Sequence, residues 1–428
     1  MENKQKYEVG GKGAMFVLTV LFLLYILNFA DRAIMAIVLE PMKAALQLSD
    51  AQAGAMQSIF LLGVGLLMIP GSIFVERWSR RKTLGLMAII WSLATLATGL
   101  GVKFWHIMTA RFAVGIGEAG YNPGGTAWLS LAFSKEVRGR VLGLFQSGTQ
   151  VGMALGLIVG GWLVTQTGDW RTPFYFFAVP GVILGILTFF LPDYATIRKK
   201  GETIISRKFF SEVVSLFKIK TYSYNVAAQT LYAFVAMTIM GWLPTLLMRS
   251  YGIDAFQAGT INGLTGLIVI IGAPLGGFLG DRWQRKKNGG RAYFMVVAMF
   301  LFSVAAALMI FSTGYSLTIY IVMALVTSFC SGLVLSGLFA IWTDVLSPAH
   351  RTTGIGMGTM ISLILGAVPG PLFLGSVSDA MGGGAAGLRG AFLLMMPVAL
   401  IATIMYYVMS RYYPADSASV NDDVLAEK

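Results

Sequence analysis

Four ionisable side chains lie inside long apolar stretches of this 428-residue chain: Asp31, Arg32, Arg111 and Glu118. Arg111 and Glu118 are seven residues apart, which places them two helical turns apart on one face of a helix. A charged side chain at the centre of a membrane helix costs about 2.5–3.5 kcal/mol on insertion scales, so it is rarely present without a task. We therefore interpret the four residues as one functional group.

The chemistry available to this group is the exchange of a proton and an anion. Burial raises the pKa of a carboxylic acid, whereas a neighbouring arginine lowers it, so such a pair can titrate near neutral pH. We expect Asp31 and Glu118 to carry the proton and Arg32 or Arg111 to bind a substrate anion. The alternative is a neutral cluster that only holds two helices together.

Polar side chains near these charges are candidates for lining a substrate pathway. Asn28 lies one turn before Asp31, and Tyr121 follows Glu118 by three residues, so these two are favoured. Each candidate has the alternative role of a buried hydrogen bond between helices. The substrate-binding candidates are Tyr25, Asn28, Tyr121, Asn122 and Gln146, and weaker ones are Gln57, Gln150, Gln229, Tyr232, Asn262 and Ser336.

The elements that must position these residues are membrane helices. The chain is 56% hydrophobic and only 12% charged, about half the charge of a soluble protein, which excludes a soluble enzyme and a disordered chain. A spanning helix needs roughly 20 apolar residues. Twelve stretches qualify, and we predict helices over 15–39, 51–75, 83–103, 105–132, 138–166, 172–192, 223–248, 255–280, 291–313, 316–343, 352–378 and 389–410.

The longest polar interval separates the sixth and seventh predicted helices. We therefore expect an all-α membrane protein with twelve helices in two pseudo-symmetric six-helix bundles, over 1–192 and 223–413. The connecting loop, 193–222, contains a basic amphipathic segment that is expected to lie on the inner leaflet. Residues 414–428 are acidic and polar and are expected to form a disordered tail.

The distribution of basic residues predicts the orientation in the membrane. Twenty-five of the 32 Lys and Arg residues would lie on one side if both termini are cytoplasmic, and five on the other. The positive-inside rule then places both termini in the cytoplasm. The same rule explains the net charge of +12 without nucleic acid. The first apolar run is long enough to remain as a helix, so we expect an integral protein of a bacterial inner membrane.

Two loops repeat at half the chain length. Residues 76–82 (Glu-Arg-Trp-Ser-Arg-Arg-Lys) correspond to 281–287 (Asp-Arg-Trp-Gln-Arg-Lys-Lys) at an offset of 205, and 134–138 correspond to 347–351 at an offset of 213. Such a repeat is typical of secondary transporters built from two homologous halves. We expect the loops to act in gating, with Asp344 as an acidic partner of the second loop. The gating candidates are Glu76, Arg77, Arg80, Arg81, Asp281, Arg282, Arg285 and Asp344.

The duplicated acidic-Arg-x-x-Arg-basic loop resembles the signature loop of the major facilitator superfamily, over essentially the whole chain. The first copy departs from the usual pattern, since Ser72, Glu76 and Ser79 replace the commoner Gly, Asp and Gly. Within the superfamily, segments 28–32 (Asn-Phe-Ala-Asp-Arg), 111–119 and 370–379 are similar to the Spinster-like branch. The first two are also similar to organic anion:cation symporters. The resemblance implies that the matching charged positions act in proton coupling and substrate recognition.

The leading hypothesis is a proton-coupled secondary transporter of an organic anion or anionic amphiphile, working by alternating access as a monomer, with the proton gradient in place of a cofactor. The runner-up is a Spinster-type carrier of a lysophospholipid or sphingoid lipid without strict proton coupling. A channel is disfavoured by the duplicated loops. A membrane enzyme is disfavoured because one Cys and two His form no catalytic or metal-binding constellation.

Two glycine patterns are expected to serve helix packing. The run Gly115-x-Gly117-x-x-Gly120 matches a dinucleotide fingerprint, but that motif has its meaning only at a strand-to-helix turn. In the fifth helix, glycines recur every four residues from Gly148 to Gly160, which lets two helix backbones approach closely.

Overall fold

A computed structural model of the chain describes residues 9–193, 214–348 and 350–426, with the side chains at 76–77 and 421–426 left aside. All regular structure in these ranges is helical. The first seven helices are α1 (Lys12–Leu46), α2 (Asp50–Arg77), α3 (Arg80–Gly99), α4 (Phe104–Glu118), α5 (Tyr121–Ala132), α6 (Lys135–Thr167) and α7 (Thr172–Thr188).

Eight further α-helices follow the central loop. A five-residue π-helix, Leu363–Ala367, joins α13 to α14. The helices are α8 (Lys220–Tyr251), α9 (Ala255–Gly266), α10 (Val269–Lys286), α11 (Gly290–Ser312), α12 (Leu317–Val345), α13 (Arg351–Ser362), α14 (Pro369–Ala380) and α15 (Gly384–Ala426).

These helices account for the twelve expected spans. Within the described ranges, ten stretches are long and apolar enough to cross a membrane, with α9–α10 and α13–α14 each counted as one stretch. The eleventh is α7, which is shorter but apolar. The twelfth, predicted as one helix over 105–132, is broken into α4 and α5. Pro123 lacks the N–H that would continue the helix past the break, and Gly120 packs against the α2 backbone at Gly71.

The chain forms two compact units. The first contains Met1–Arg198 together with Ile253–Gly263, and the second contains Lys199–Gly252 and Leu264–Lys428. The short segment at 253–263 therefore differs from the predicted boundary, which assigned it to the second half. Its inclusion follows from close backbone packing on α6, where a methyl group at Gly259 would lie 2.2 Å from the carbonyl oxygen of Leu157.

The glycine row of α6 packs against α1. A methyl group at Gly152 would lie 2.3 Å from the carbonyl oxygen of Ile26, and one at Gly156 would lie 2.5 Å from that of Ala30. Both contacts are with backbone, so any side chain would force the helices apart. The expected close-packing role of this row is confirmed, and it fixes the segment of α1 that carries Asp31.

The chain end differs from the prediction of a disordered tail over 414–428, because α15 continues to Ala426. Interactions with other helices explain why: Asp416 accepts a hydrogen bond from the backbone N–H of Thr221 at the start of α8 (2.9 Å). One turn earlier, the Tyr413 hydroxyl donates to Asp344 (2.6 Å). The amphipathic segment predicted in the central loop lies largely outside the described residues.

Candidate functional site

The centre of the candidate site is an ion pair between α1 and α4. Arg32 Nε donates to Glu118 Oε2 at 2.8 Å, and the side chain of Glu118 is fully buried whereas that of Arg32 is 21% exposed. Glu118 Oε1 has no hydrogen-bond partner among the described residues. The partially exposed arginine makes this pair accessible, and a carboxylate held by one bond is easier to release than one held by several.

Arg111 lies beside this pair in a different environment. Its side chain is 1% exposed, and its Nε and Nη1 atoms donate no hydrogen bond to any residue that the structure describes. Its guanidinium lies over the ring of Phe60, 4.6 Å from the centroid. A buried guanidinium with unpaired N–H groups is costly, and an anion that accepted those N–H groups would relieve the cost.

Asp31 completes the cluster. Its Oδ2 accepts a hydrogen bond from Thr95 Oγ1 of α3 at 3.1 Å, and its carboxylate lies within electrostatic range of both arginines and of Glu118. The four charges predicted to act together are thus brought together within the first unit. With both acids ionised, the cluster contains two positive and two negative charges, so protonation of one acid leaves a net positive charge.

Close backbone contact between α2 and α4 builds this geometry. A methyl group at Gly115 would lie 2.3 Å from the carbonyl oxygen of Phe60, and one at Gly117 would lie 2.8 Å from the backbone nitrogen of Trp91 in α3. The glycine run is therefore a packing surface, as expected. The same helix segment carries Arg111 and Glu118, so the tight packing holds both charges in place.

A row of uncharged polar side chains lies on α1, α5 and α6. The Tyr25 hydroxyl donates to Gln146 Oε1 (2.9 Å), and Gln146 Nε2 donates to Asn122 Oδ1 (3.3 Å). Gln146 and Asn122 are exposed, so this row is accessible to a ligand. Three of the predicted substrate-binding residues are thus joined into one chain of hydrogen bonds.

The other two uncharged binding candidates, Tyr121 and Asn28, are buried. Tyr121 is buried, and its hydroxyl donates to the backbone oxygen of Leu21 (3.1 Å). Asn28 is buried with its Nδ2 unpaired within the described part of the chain, and its amide neighbours the Glu118 carboxylate. Asn28 is therefore placed to touch the ion pair, whereas Tyr121 holds α5 against α1.

Aromatic rings surround the same region. The Tyr25 ring stacks on Phe145 with centroids 4.3 Å apart and meets Phe29 edge-on at 5.0 Å. Arg32 lies over the Phe29 ring at 4.6 Å. Tyr25 and Phe145 are buried, so of these rings only Phe29 is partly exposed beside Arg32.

The weaker pathway candidates are engaged in local or interhelical hydrogen bonds where the structure gives their contacts. The Tyr232 hydroxyl and Ser331 Oγ are 2.9 Å apart. Asn262 and Ser336 each donate to a carbonyl within their own helices. The second unit therefore contains a neutral hydrogen bond between α8 and α12 where the first has an ion pair between α1 and α4.

The first predicted gating loop is held to the segment that follows α7. Ser79 Oγ donates to Asp193, and Arg81 Nε lies 4.0 Å from the same carboxylate. Arg80 is buried at the start of α3. Glu76 and Arg77 lie in the last turn of α2, and their side chains are outside the described part.

The second loop has a partner that the sequence reasoning missed. Arg291 bridges Asp281 (2.5 Å) and Asp344, and Asp344 also accepts from Tyr413 (2.6 Å). Asp344 was expected to pair with the loop arginines, but Arg282 and Arg285 are exposed. The reason is position: Arg291 begins α11, within reach of both acids. The sequence feature that pointed to Arg291 was its position just after the basic residues of 282–287.

Other residues of the cluster were also not predicted. Phe60, Phe29 and Thr95 contact the charged groups, but aromatic and Thr residues are so common in apolar helices that nothing singled them out. Within the described residues, no group of three His, Cys, Asp or Glu side chains is placed to hold a metal ion.

Sequence comparison identifies the class of protein that this fold and cluster define. Residues 21–289 and 226–424 match the Major Facilitator Superfamily, and the chain belongs to that family. It is therefore an integral membrane transporter by family, not an enzyme, and the all-α twelve-helix architecture is confirmed.

Within the family, the similarity is to Spinster proteins. Protein spinster homolog 1 of Xenopus tropicalis is 28% identical over 402 residues, covering 89% of this chain and 75% of the relative. The sphingosine-1-phosphate transporter SPNS2 of the same organism is 27% identical over 380 residues, covering 83% and 72%. The crystal structure of a bacterial homolog to the human lysosomal transporter Spinster shares the fold, with a TM-score of 0.84, 24% identity and coverage of 95% and 99%.

Proposed function

We propose that this protein is a proton-coupled transporter of an organic anion or anionic amphiphile that works by alternating access. The observation that carries the proposal is that the N–H groups of two neighbouring arginines differ in their hydrogen bonding. Arg32 is bound to Glu118 at 2.8 Å, whereas Arg111 is buried with unpaired N–H groups. One arginine is thus available to an anion, and the other becomes available when its carboxylate partner loses its charge.

This arrangement supports proton coupling. Protonation of Glu118 removes the charge that holds Arg32 and leaves both guanidinium groups free to bind one substrate anion. Proton binding and anion binding then favour each other, because a coupling between two sites is reciprocal. Asp31, which is hydrogen-bonded to Thr95 of α3, interacts electrostatically with the same charged groups. It provides a second protonation site.

Two observations support an amphiphile as substrate. The relative named as a sphingosine-1-phosphate transporter acts on a molecule with a phosphate and a long apolar chain. In this protein the partly exposed ring of Phe29 lies against Arg32 at 4.6 Å, so a phosphate and the start of an apolar chain would both find matching groups. The exposed Gln146 and Asn122 would accept or donate hydrogen bonds at the polar end of such a molecule.

The test is uptake of radiolabelled octyl phosphate into proteoliposomes with an imposed pH gradient. We expect the natural chain to accumulate the anion, and Asp31→Asn or Glu118→Gln to abolish gradient-driven accumulation while the protein remains folded. Glu136→Gln and Asp169→Asn, at exposed acids outside the cluster, serve as matched controls that retain activity. Normal accumulation by both cluster variants would overturn proton coupling at these residues.

The second candidate is a carrier of a lysophospholipid or sphingoid lipid without strict proton coupling, favoured by the name of the same relative. Saturable exchange of the labelled anion that is equally fast with and without a pH gradient would support this candidate. We further propose a bacterial inner membrane as the location, cytoplasmic termini, and a monomer as the working unit.

A further inference from the structure

The ring of Phe60 faces both arginines of the candidate site. Its centroid is 4.6 Å from Arg111 Cζ and 5.4 Å from Arg32 Cζ. Phe60 is only 4% exposed, so these contacts form in a site largely shielded from water, where cation–π attraction is strongest. One side chain on α2 thus contacts the charged group of α1 and that of α4.

Backbone contacts give the ring little freedom to move. The carbonyl oxygen of Phe60 lies where a methyl group at Gly115 would be (2.3 Å), and a methyl group at Gly63 would lie 2.8 Å from the carbonyl oxygen of Phe112. Gly115 is one turn after Arg111 on the same helix. The ring is therefore held at a set distance from the guanidinium by two helix backbones in direct contact.

A guanidinium whose central carbon lies over an aromatic ring keeps hydrogen-bond donors for other partners. Arginine has five N–H donors in the plane of the group. Arg32 uses its Nε–H for Glu118. Arg111 retains unpaired Nε and Nη1 donors within the described structure; these lie on different edges of the planar group, and each can donate to an oxygen of a carboxylate or phosphate.

We propose that Phe60 is a positioning residue for anion recognition, holding the Arg111 guanidinium in place so that its unpaired Nε–H and Nη1–H groups donate to oxygens of a substrate phosphate or carboxylate. This inference rests on the proposed function. It assigns the substrate an oxyanion, since an uncharged headgroup would leave the guanidinium charge unpaired. Arg32, which is also within reach of the ring, keeps its contact with Glu118 until that acid is protonated.

The experiment measures binding of octyl phosphate and of octanol to protein in lipid nanodiscs. We expect Phe60→Leu, which keeps an apolar side chain but removes the ring, to weaken octyl phosphate binding about tenfold and to leave octanol binding unchanged. Phe60→Tyr keeps the ring and should retain most of the affinity. Phe176→Leu, at a ring on α7 that is 52% exposed, is the control and should bind both probes normally.

The outcomes separate this inference from the proposed function. If the natural chain binds octyl phosphate no more tightly than octanol, the proposed anion site itself is wrong. If the natural chain prefers the phosphate and Phe60→Leu keeps that preference, the positioning role of Phe60 is overturned. Equal loss in Phe60→Tyr and Phe60→Leu would also overturn it, because that result indicates a packing requirement. Phe60→Met replaces Phe60→Leu if the latter does not fold.

Discussion

At the scale of single residues, the two arginines of the cluster differ in what already occupies their N–H groups. Arg32 donates to Glu118 and is partly exposed, whereas Arg111 is buried with unpaired Nε and Nη1 donors. The difference assigns them different tasks in the proposed cycle: Arg111 meets the anion, and Arg32 couples anion binding to the protonation of Glu118. The two acids also differ in their hydrogen-bond partners: Asp31 accepts from a hydroxyl of α3, whereas Glu118 accepts from Arg32.

Arg111→Lys tests this assignment. Lysine keeps the charge but loses the planar guanidinium, with its several donors, and the contact of that group with Phe60, so we expect octyl phosphate binding about tenfold weaker in the nanodisc assay. Arg32→Lys should bind the probe with a smaller loss. Arg171→Lys is the control, because Arg171 also lies over an aromatic ring (Trp170, 4.4 Å) but is partly exposed and outside the cluster. A large loss in Arg32→Lys with none in Arg111→Lys would reverse the two roles.

The sequence was sufficient to find the charges at this scale but not their pairing. Asp31, Arg32, Arg111 and Glu118 are conspicuous because an apolar surrounding makes any charge expensive. Which arginine faces Glu118 depends on the rotation of α1 relative to α4, and that rotation is set by tertiary packing at Gly115 and Gly156. Phe60 gave no signal, since an aromatic residue in an apolar helix is ordinary until its neighbours are known.

At the scale of helices, glycine rows and helix breaks position the site. α4 ends at Glu118, so the carboxylate lies where the helix is interrupted, as is common for substrate sites in transporters with discontinuous helices. The twelve spans follow from hydropathy, but the break at Ala119–Gly120 was not predicted, although Pro123 marked its location. The length of an apolar stretch does not indicate whether its helical backbone hydrogen bonds continue without interruption.

Gly152→Ala measures how much the α1–α6 contact contributes. The new methyl group would lie 2.3 Å from the carbonyl oxygen of Ile26, and overpacking of this kind destabilises by about 1–3 kcal/mol. We expect a lower melting temperature in detergent and reduced uptake, since α1 carries Asp31 and Arg32. Gly143→Ala is the matched control on the same helix, because it has open space around it and alanine is the better helix former. Equal melting of both variants would contradict the packing role.

At the scale of the whole molecule, the two units have similar loop sequences but differ in their buried charged residues. In the part of the chain that the structure describes, the buried Asp, Glu, Lys and Arg side chains are Asp31, Asp50, Arg80, Arg111 and Glu118, all in the first unit. The position that follows Glu118 by the repeat offset of 213 is Ser331, whose partner is the neutral Tyr232. The duplicated scaffold has thus been specialised in one half for ionic chemistry.

The orientation of this scaffold in the membrane is testable at the two ends of α6. The excess of basic residues predicts that the Ser134 end lies in the cytoplasm and the Gln166 end outside. Both residues are exposed, and the one natural cysteine, Cys330, is buried, so single cysteines at either end can be labelled selectively. We expect a membrane-impermeant maleimide to label Gln166→Cys in intact cells and Ser134→Cys only after permeabilisation. The reverse pattern would place both termini outside the cytoplasm and overturn the predicted orientation.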